Sequence, residues 1–140
     1  MSADSVKPGE PPRPQLHAML VCDQVLKDEA TKNSSLIGVF NRIAAIRFPA
    51  THARLTVYVS VIDAQGAYHL RLELVRLDDE MAIGRGDADV TVQDRFLQAE
   101  WMFELHGLVF EQPGEYEFRL WVNERFLGSK SLSVVQLAGG

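Results

Sequence analysis

In Leu55, Val57, Val59 and Val61 every second residue is apolar, while Arg54, Thr56, Tyr58 and Ser60 fill the gaps. A strand sends successive side chains to opposite faces, so this pattern builds a sheet with one face in a core. It does not suit a helix, whose period is 3.6. The pattern returns in Tyr68, Leu70, Leu72 and Leu74 against His69, Arg71 and Glu73. It returns again in Ala99, Trp101, Phe103 and Leu105 against Glu100, Met102, Glu104 and His106, and in Tyr116, Phe118, Leu120 and Val122. Such runs read as half-buried antiparallel strands. They predict a core containing Leu55, Val57, Val59, Leu70, Leu72, Trp101, Phe103, Phe118 and Leu120.

Turn chemistry divides the rest. Ala64-Gln65-Gly66 predicts a hairpin between the first two runs, and the Asn123-Glu124 corner leads into a last strand from about Arg125 to Val135. Residues 17–27 suit either a strand or a helix, because Met19, Cys22 and Leu26 also form a helical stripe. The Thr31–Ser35 turn before Leu36-Ile37-Gly38-Val39-Phe40 favours a strand and hairpin. Residues 81–92 read as an edge strand interrupted by Gly84 and Gly86, and Gln93 to Leu97 as one helical turn. Eight or nine short strands with no long amphipathic helix give an all-β, antiparallel two-sheet β-sandwich.

A chain of 140 residues is long enough for one domain with a proper core. Residues 1–16 hold Pro8, Pro11, Pro12 and Pro14, four of the six prolines, and few apolar side chains. They read as a disordered tail, because they bury too little to offset their ordering entropy. Pro-Pro-Arg-Pro within it is a weak pattern for a partner's ligand. The sandwich is assigned to 17–136 and a flexible end to 137–140. The formal charge of −5, without a Lys/Arg run, argues against nucleic acid or anionic lipid as a partner. No stretch approaches the roughly 20 apolar residues of a membrane span, and Met1 to Leu16 contains no continuous apolar run. The single cysteine, Cys22, follows Met19-Leu20-Val21 and reads as a buried, inert thiol. The expected compartment is the cytoplasm.

Pro113-Gly114-Glu115-Tyr116-Glu117-Phe118-Arg119 resembles the penultimate strand of immunoglobulin-like domains, where a tyrosine ties the sheet corner through its hydroxyl. Tyr116 would take that role, although the paired cysteines of antibody domains are absent. A closer match runs from Met19 to about Val134. Cys22-Asp23-Gln24-Val25, Ser35-Leu36-Ile37-Gly38-Val39-Phe40, Phe48-Pro49 and the strand Leu55 to Val61 together resemble an uncharacterised bacterial family of small β-sandwich proteins, a domain of unknown function. The resemblance implies a bacterial source and the sandwich fold. It implies no activity and assigns no functional residue.

The residues themselves supply little chemistry. His17, His52, His69 and His106 are scattered, with His69 and His106 on polar sides of strands, and no nucleophile elbow, phosphate loop or zinc-ligand spacing occurs. Asp78-Asp79-Glu80 and Asp87-x-Asp89 fall in regions read as turns. They suit either a calcium site on neighbouring loops or ordinary solvated charges. Tyr58, Trp121 and Met102 take the outward parity among polar neighbours, which points to an interface, unless loops cover that face. The C-terminal Gly139-Gly140 is the end a ubiquitin-like modifier presents for conjugation, although the helix of that fold is missing. The resulting expectation is a non-enzymatic binding or structural module that needs no cofactor and contacts a protein partner or itself. A modifier conjugated through Gly140 and an enzyme of unfamiliar design are the alternatives.

Overall fold

The computed structural model describes residues 9–139. Nine strands follow one another: β1 (Gln15–Lys27), β2 (Ser34–Val39), β3 (Arg42–Ala45), β4 (Ala50–Ile62), β5 (Gly66–Arg76), β6 (Met81–Val92), β7 (Ala99–Phe110), β8 (Gly114–Val122) and β9 (Arg125–Gln136). Among the described residues no helix forms. One sheet has the order β2-β1-β4-β7 and the other β3-β9-β8-β5-β6. Their inner faces enclose a single apolar cluster, and all nine side chains expected in the core are buried in it.

The pairings correct three expectations. The first two alternation runs are not a hairpin: β4 and β5 lie in different sheets, and the chain crosses between them at Asp63 to Gln65. Alternation tells which residues face the core; it says nothing about which strand lies alongside. The sandwich is also not wholly antiparallel, since β3 runs parallel to β9. Finally, β6 runs as one strand from Met81 to Val92, and its one irregularity is a register shift beside Gly84, between Leu74 and Val75 of its partner. Gly84 and Gly86 stand opposite Leu74 and Leu72 in a continuous edge strand. A Cβ at Gly84 would come within 3.0 Å of Leu108 Cδ2, and one at Gly86 within 3.6 Å of Phe103 Cδ1. The missing side chains let β7 pack closely from the other sheet. Gln93 to Leu97 is a turn closed by Leu97 N–H on the Asp94 carbonyl at 3.3 Å, not a helical turn.

The corner before β8 behaves as its sequence suggests. Tyr116 is fully buried, its hydroxyl donates to the Gln112 carbonyl at 2.6 Å, and its ring meets Phe110 edge-on at 5.1 Å. Asn123 and Glu124 both adopt positive φ, the two-residue turn whose twist suits the β8–β9 hairpin. With this tyrosine corner and two face-to-face sheets, the fold is an immunoglobulin-like sandwich.

Both ends of the domain are more ordered than expected. The described part of the N-terminal segment, residues 9–16, is not a free tail. Pro14 is buried, β1 already begins at Gln15, and Leu16 packs over Gly128, where no side chain is in its way. Hydrogen bonds and proline packing offset the ordering entropy that a scarcity of apolar residues had made decisive. At the other end Leu137 N–H bonds the Ala45 carbonyl at 2.9 Å, so residue 137 is held against β3 and is not part of a free end. Residues 1–8 and Gly140 lie outside the described residues.

Candidate functional site

The strand β4 is buried on both sides from Leu55 to Val61, although its sequence alternates. Leu55, Val57, Val59 and Val61 enter the core. Thr56, Tyr58 and Ser60 face outward and are covered by the chain itself. The cover is an arm, the hairpin formed by the second half of β1 with β2. The strand β1 pairs with β4 only as far as Cys22, then continues with β2 alone from Gln24 to Lys27. There the arm turns back over the sheet. Arg54 donates to Gln24 at 3.1 Å, while Lys27 and Ser34 reach Glu100 on β7 at 3.2 and 2.8 Å. Glu100 lies beside Ser60, far along β4 from Thr56, the partner of Cys22, so only a reversed arm connects them.

Gly38 explains the bend. Its φ is +69°, which favours glycine, and the Asp23 carboxylate occupies the space any Cβ would need. Cys22 is buried at the root of the arm, as expected, with Sγ 3.7 Å from the Thr56 carbonyl. Burial, and then the Asp23 charge, push its thiol up, which keeps it protonated and inert.

Tyr58 is therefore no free interface residue. Its hydroxyl donates to Glu100, which also takes bonds from Ser34 and Lys27. Burial, and then the Glu100 carboxylate, push the Tyr58 hydroxyl up to about 12. Burial pushes Glu100 up as well, but the bonds from Tyr58, Ser34 and Lys27 outweigh it and hold the carboxyl low. Met102 remains partly exposed beside the arm, in a groove with Gln24, Val25, Arg54, Thr56 and Glu104. Trp121 sits on the outer face of the opposite sheet. The structure does not join it with Tyr58 and Met102 in one patch, because parity alone could not tell which sheet each strand would enter. Trp121 is half-buried under the Arg71 guanidinium, 4.5 Å from its ring, and against Phe126 at 5.9 Å.

The acidic segments are engaged by cations. Asp79 accepts two bonds from Arg76, at 2.9 and 2.6 Å, and Glu80 pairs with Arg119 at 2.9 Å. Asp87 and Asp89 lie within β6, not in a turn. They flank His69, with Nε2 3.2 Å from Asp87 and Nδ1 2.9 Å from Asp89. Among the described residues no group of three or more His, Cys, Asp or Glu is placed to hold a metal ion.

Only an imidazolium can donate from both nitrogens, and His69 is raised accordingly, chiefly by the Asp89 hydrogen bond. The sign follows: the stabilisation is complete below the unfolded value near 6.5 and is lost as pH rises through the higher folded value. Asp89→Asn is expected to bring the His69 titration midpoint down towards an ordinary imidazole, as read by NMR. An unchanged midpoint would remove Asp89 as the cause.

Sequence reasoning missed the arm's own apolar residues. Leu26 and Ile37 are exposed on the same side of the arm, at 52% and 42%, and Val39 is exposed at its base. The side chains beneath them, Val25 and Leu36, are half-buried. The available signal was Gly38, a glycine inside a strand pattern, which marks a bend or a close approach. Gly139 is exposed near Ile46, outside any enclosed site.

The chain belongs to a family of unknown function, DUF6941, whose model matches residues 17–135. No curated protein matches it in sequence. Among solved structures it is similar to an alkylpurine DNA glycosylase of Pseudomonas fluorescens bound to DNA containing an abasic site analog. The TM-score is 0.53 at 13% identity, over 87% of this chain and 30% of that one. A β-glucosidase from Listeria innocua in complex with isofagomine gives 0.47 at 9%, over 90% of this chain and 17% of that one. An immunoglobulin-like protein of Pseudomonas aeruginosa gives 0.42 at 11%, over 95% and 99%. The chain thus spans under a third of the first two proteins, and likeness at such identities concerns the fold alone.

Proposed function

We propose that this domain is a non-enzymatic protein-interaction module that works through the free edge of β2 and the outer side of its arm. One observation carries the reading. The edge strand Ser34–Val39 contains no charged residue and no proline, and it carries exposed Ile37 and Val39 with Leu26 alongside. Edge strands are normally blunted by lysine, proline or bulges, because unpaired backbone groups beside apolar side chains recruit another strand. A partner strand added there would gain main-chain hydrogen bonds and cover the apolar side chains.

The test is Ile37→Lys. The side chain is exposed, so the thermal midpoint should stay within about a degree or two of the parent protein. Association, with a second copy in sedimentation or with a co-purified protein from the native host, should weaken roughly tenfold or more, the usual loss at an interface anchor. Equal association by parent and variant would sink the proposal.

A further inference from the structure

At the end of the sandwich away from the arm's bend, Glu10 to Pro14 form a strap across the tip of β5 and the β8–β9 turn. Tyr68 provides the seat. Its ring is buried against Trp101, 6.1 Å between centroids, and its hydroxyl donates to the Pro12 carbonyl at 2.6 Å while accepting the Gln65 N–H at 3.0 Å. Arg13 donates to the Phe126 carbonyl at 3.3 Å, and Glu10 lies 3.9 Å from Arg125. Gly66 leaves room for Pro11: a Cβ there would lie 3.2 Å from the proline's own Cβ. A cavity of about 250 Å³ remains between the strap and Tyr68, Val122, Asn123 and Arg125.

Two means by which proteins bind proline-rich peptides are present: a hydroxyl directed at a peptide carbonyl, and a stiff ligand with little conformational entropy to lose. The strap makes no sheet pairing, since β1 begins only at Gln15.

We propose that this groove is a binding site for an extended proline-rich segment of a partner protein, and that the chain's own Pro11-Pro12-Arg13-Pro14 is its resident competitor. The occupant is argued from what is already seated there. The site shares with the β2-edge reading only the premise that the domain acts by binding, and Ile37→Lys leaves it intact. A tethered competitor faces the groove at an effective concentration of about millimolar, so a free peptide binds well only once the strap is displaced.

The full chain carrying Pro11→Cys and Gly66→Cys tests this. The Cβ separation is within a few tenths of an ångström of the roughly 3.5–4.5 Å a disulfide spans, and Cys22 is buried and does not compete. The probe is a fluorescein-labelled peptide, Gly-Glu-Pro-Pro-Arg-Pro-Gln, the sequence of residues 9–15. The reduced protein should bind it, the oxidised protein at least tenfold more weakly, and reductant should restore binding. Tyr68→Phe in the reduced protein should weaken binding about fivefold, the worth of one hydrogen bond.

Equal binding in both states, or none in the reduced state, overturns the proposal. Gly66 has a φ of +112°, which strains any side chain placed there, so if the double variant does not fold or does not close the intrachain disulfide, NMR of the unmodified chain with millimolar peptide decides. Shifts at Tyr68, Asn123 and Arg125 support the site, and their absence overturns it.

Discussion

Tyr116→Ala is expected to remove about 3–5 kcal/mol of stability, the range for deleting a large buried aromatic. Total stability for a domain of this kind is about 5–15 kcal/mol, so the loss is a large share of the whole. The cause is specific. The ring fills the space beside Phe110 and its hydroxyl ties the start of β8 to the preceding turn at Gln112. Tyr116→Phe keeps the ring and loses only the tie, so it should cost about 1 kcal/mol, or somewhat more if the Gln112 carbonyl is left without a donor. Urea melts of the two variants separate packing from the hydrogen bond. Equal losses would mean that the hydroxyl, not the ring, holds the corner.

That corner was legible because its signal is local: a glycine turn, then a tyrosine at the inward parity of an alternating strand. The core was legible for the same reason, since Leu55 to Val61 and Leu70 to Leu74 specify an inward face regardless of their neighbours. What alternation could not supply was pairing. Nothing in Leu55–Val61 says that Tyr68–Leu74 lies across the core instead of alongside, and nothing in Arg42–Ala45 says that it pairs parallel to β9. The strap shows a different gap. Composition judged residues 1–16 by the apolar surface they could bury, whereas the anchors at Tyr68, Phe126 and Arg125 come from residues more than fifty positions away. The outward aromatics were found by parity, but parity is silent on whether the chain returns to cover them. The arm covers Tyr58, and Arg71 covers part of Trp121.

Tyr58 is where that difference has its largest consequence. As an interface residue it would affect association and leave the monomer's stability alone. Covered by the arm, and only 8% exposed, it should behave as a core residue: Tyr58→Ala is expected to cost about 3 kcal/mol or more. The loss has two parts. The ring's packing against the arm disappears, and Glu100 loses one of the three donors that keep its charge satisfied.

The pH dependence adds an independent reading. The folded hydroxyl titrates at about 12, above the ordinary tyrosine value near 10. The folded protein therefore holds a proton that the unfolded chain has released in that range. The contribution is complete below pH 10 and falls as pH rises towards 12. Tyr58→Phe has no proton to lose, so its stability should decline less steeply over this window than that of the parent protein. Sedimentation of Tyr58→Ala under conditions where it remains folded should match the parent. A variant that kept the parent's melting temperature but lost association would place Tyr58 at an intermolecular surface and the arm elsewhere.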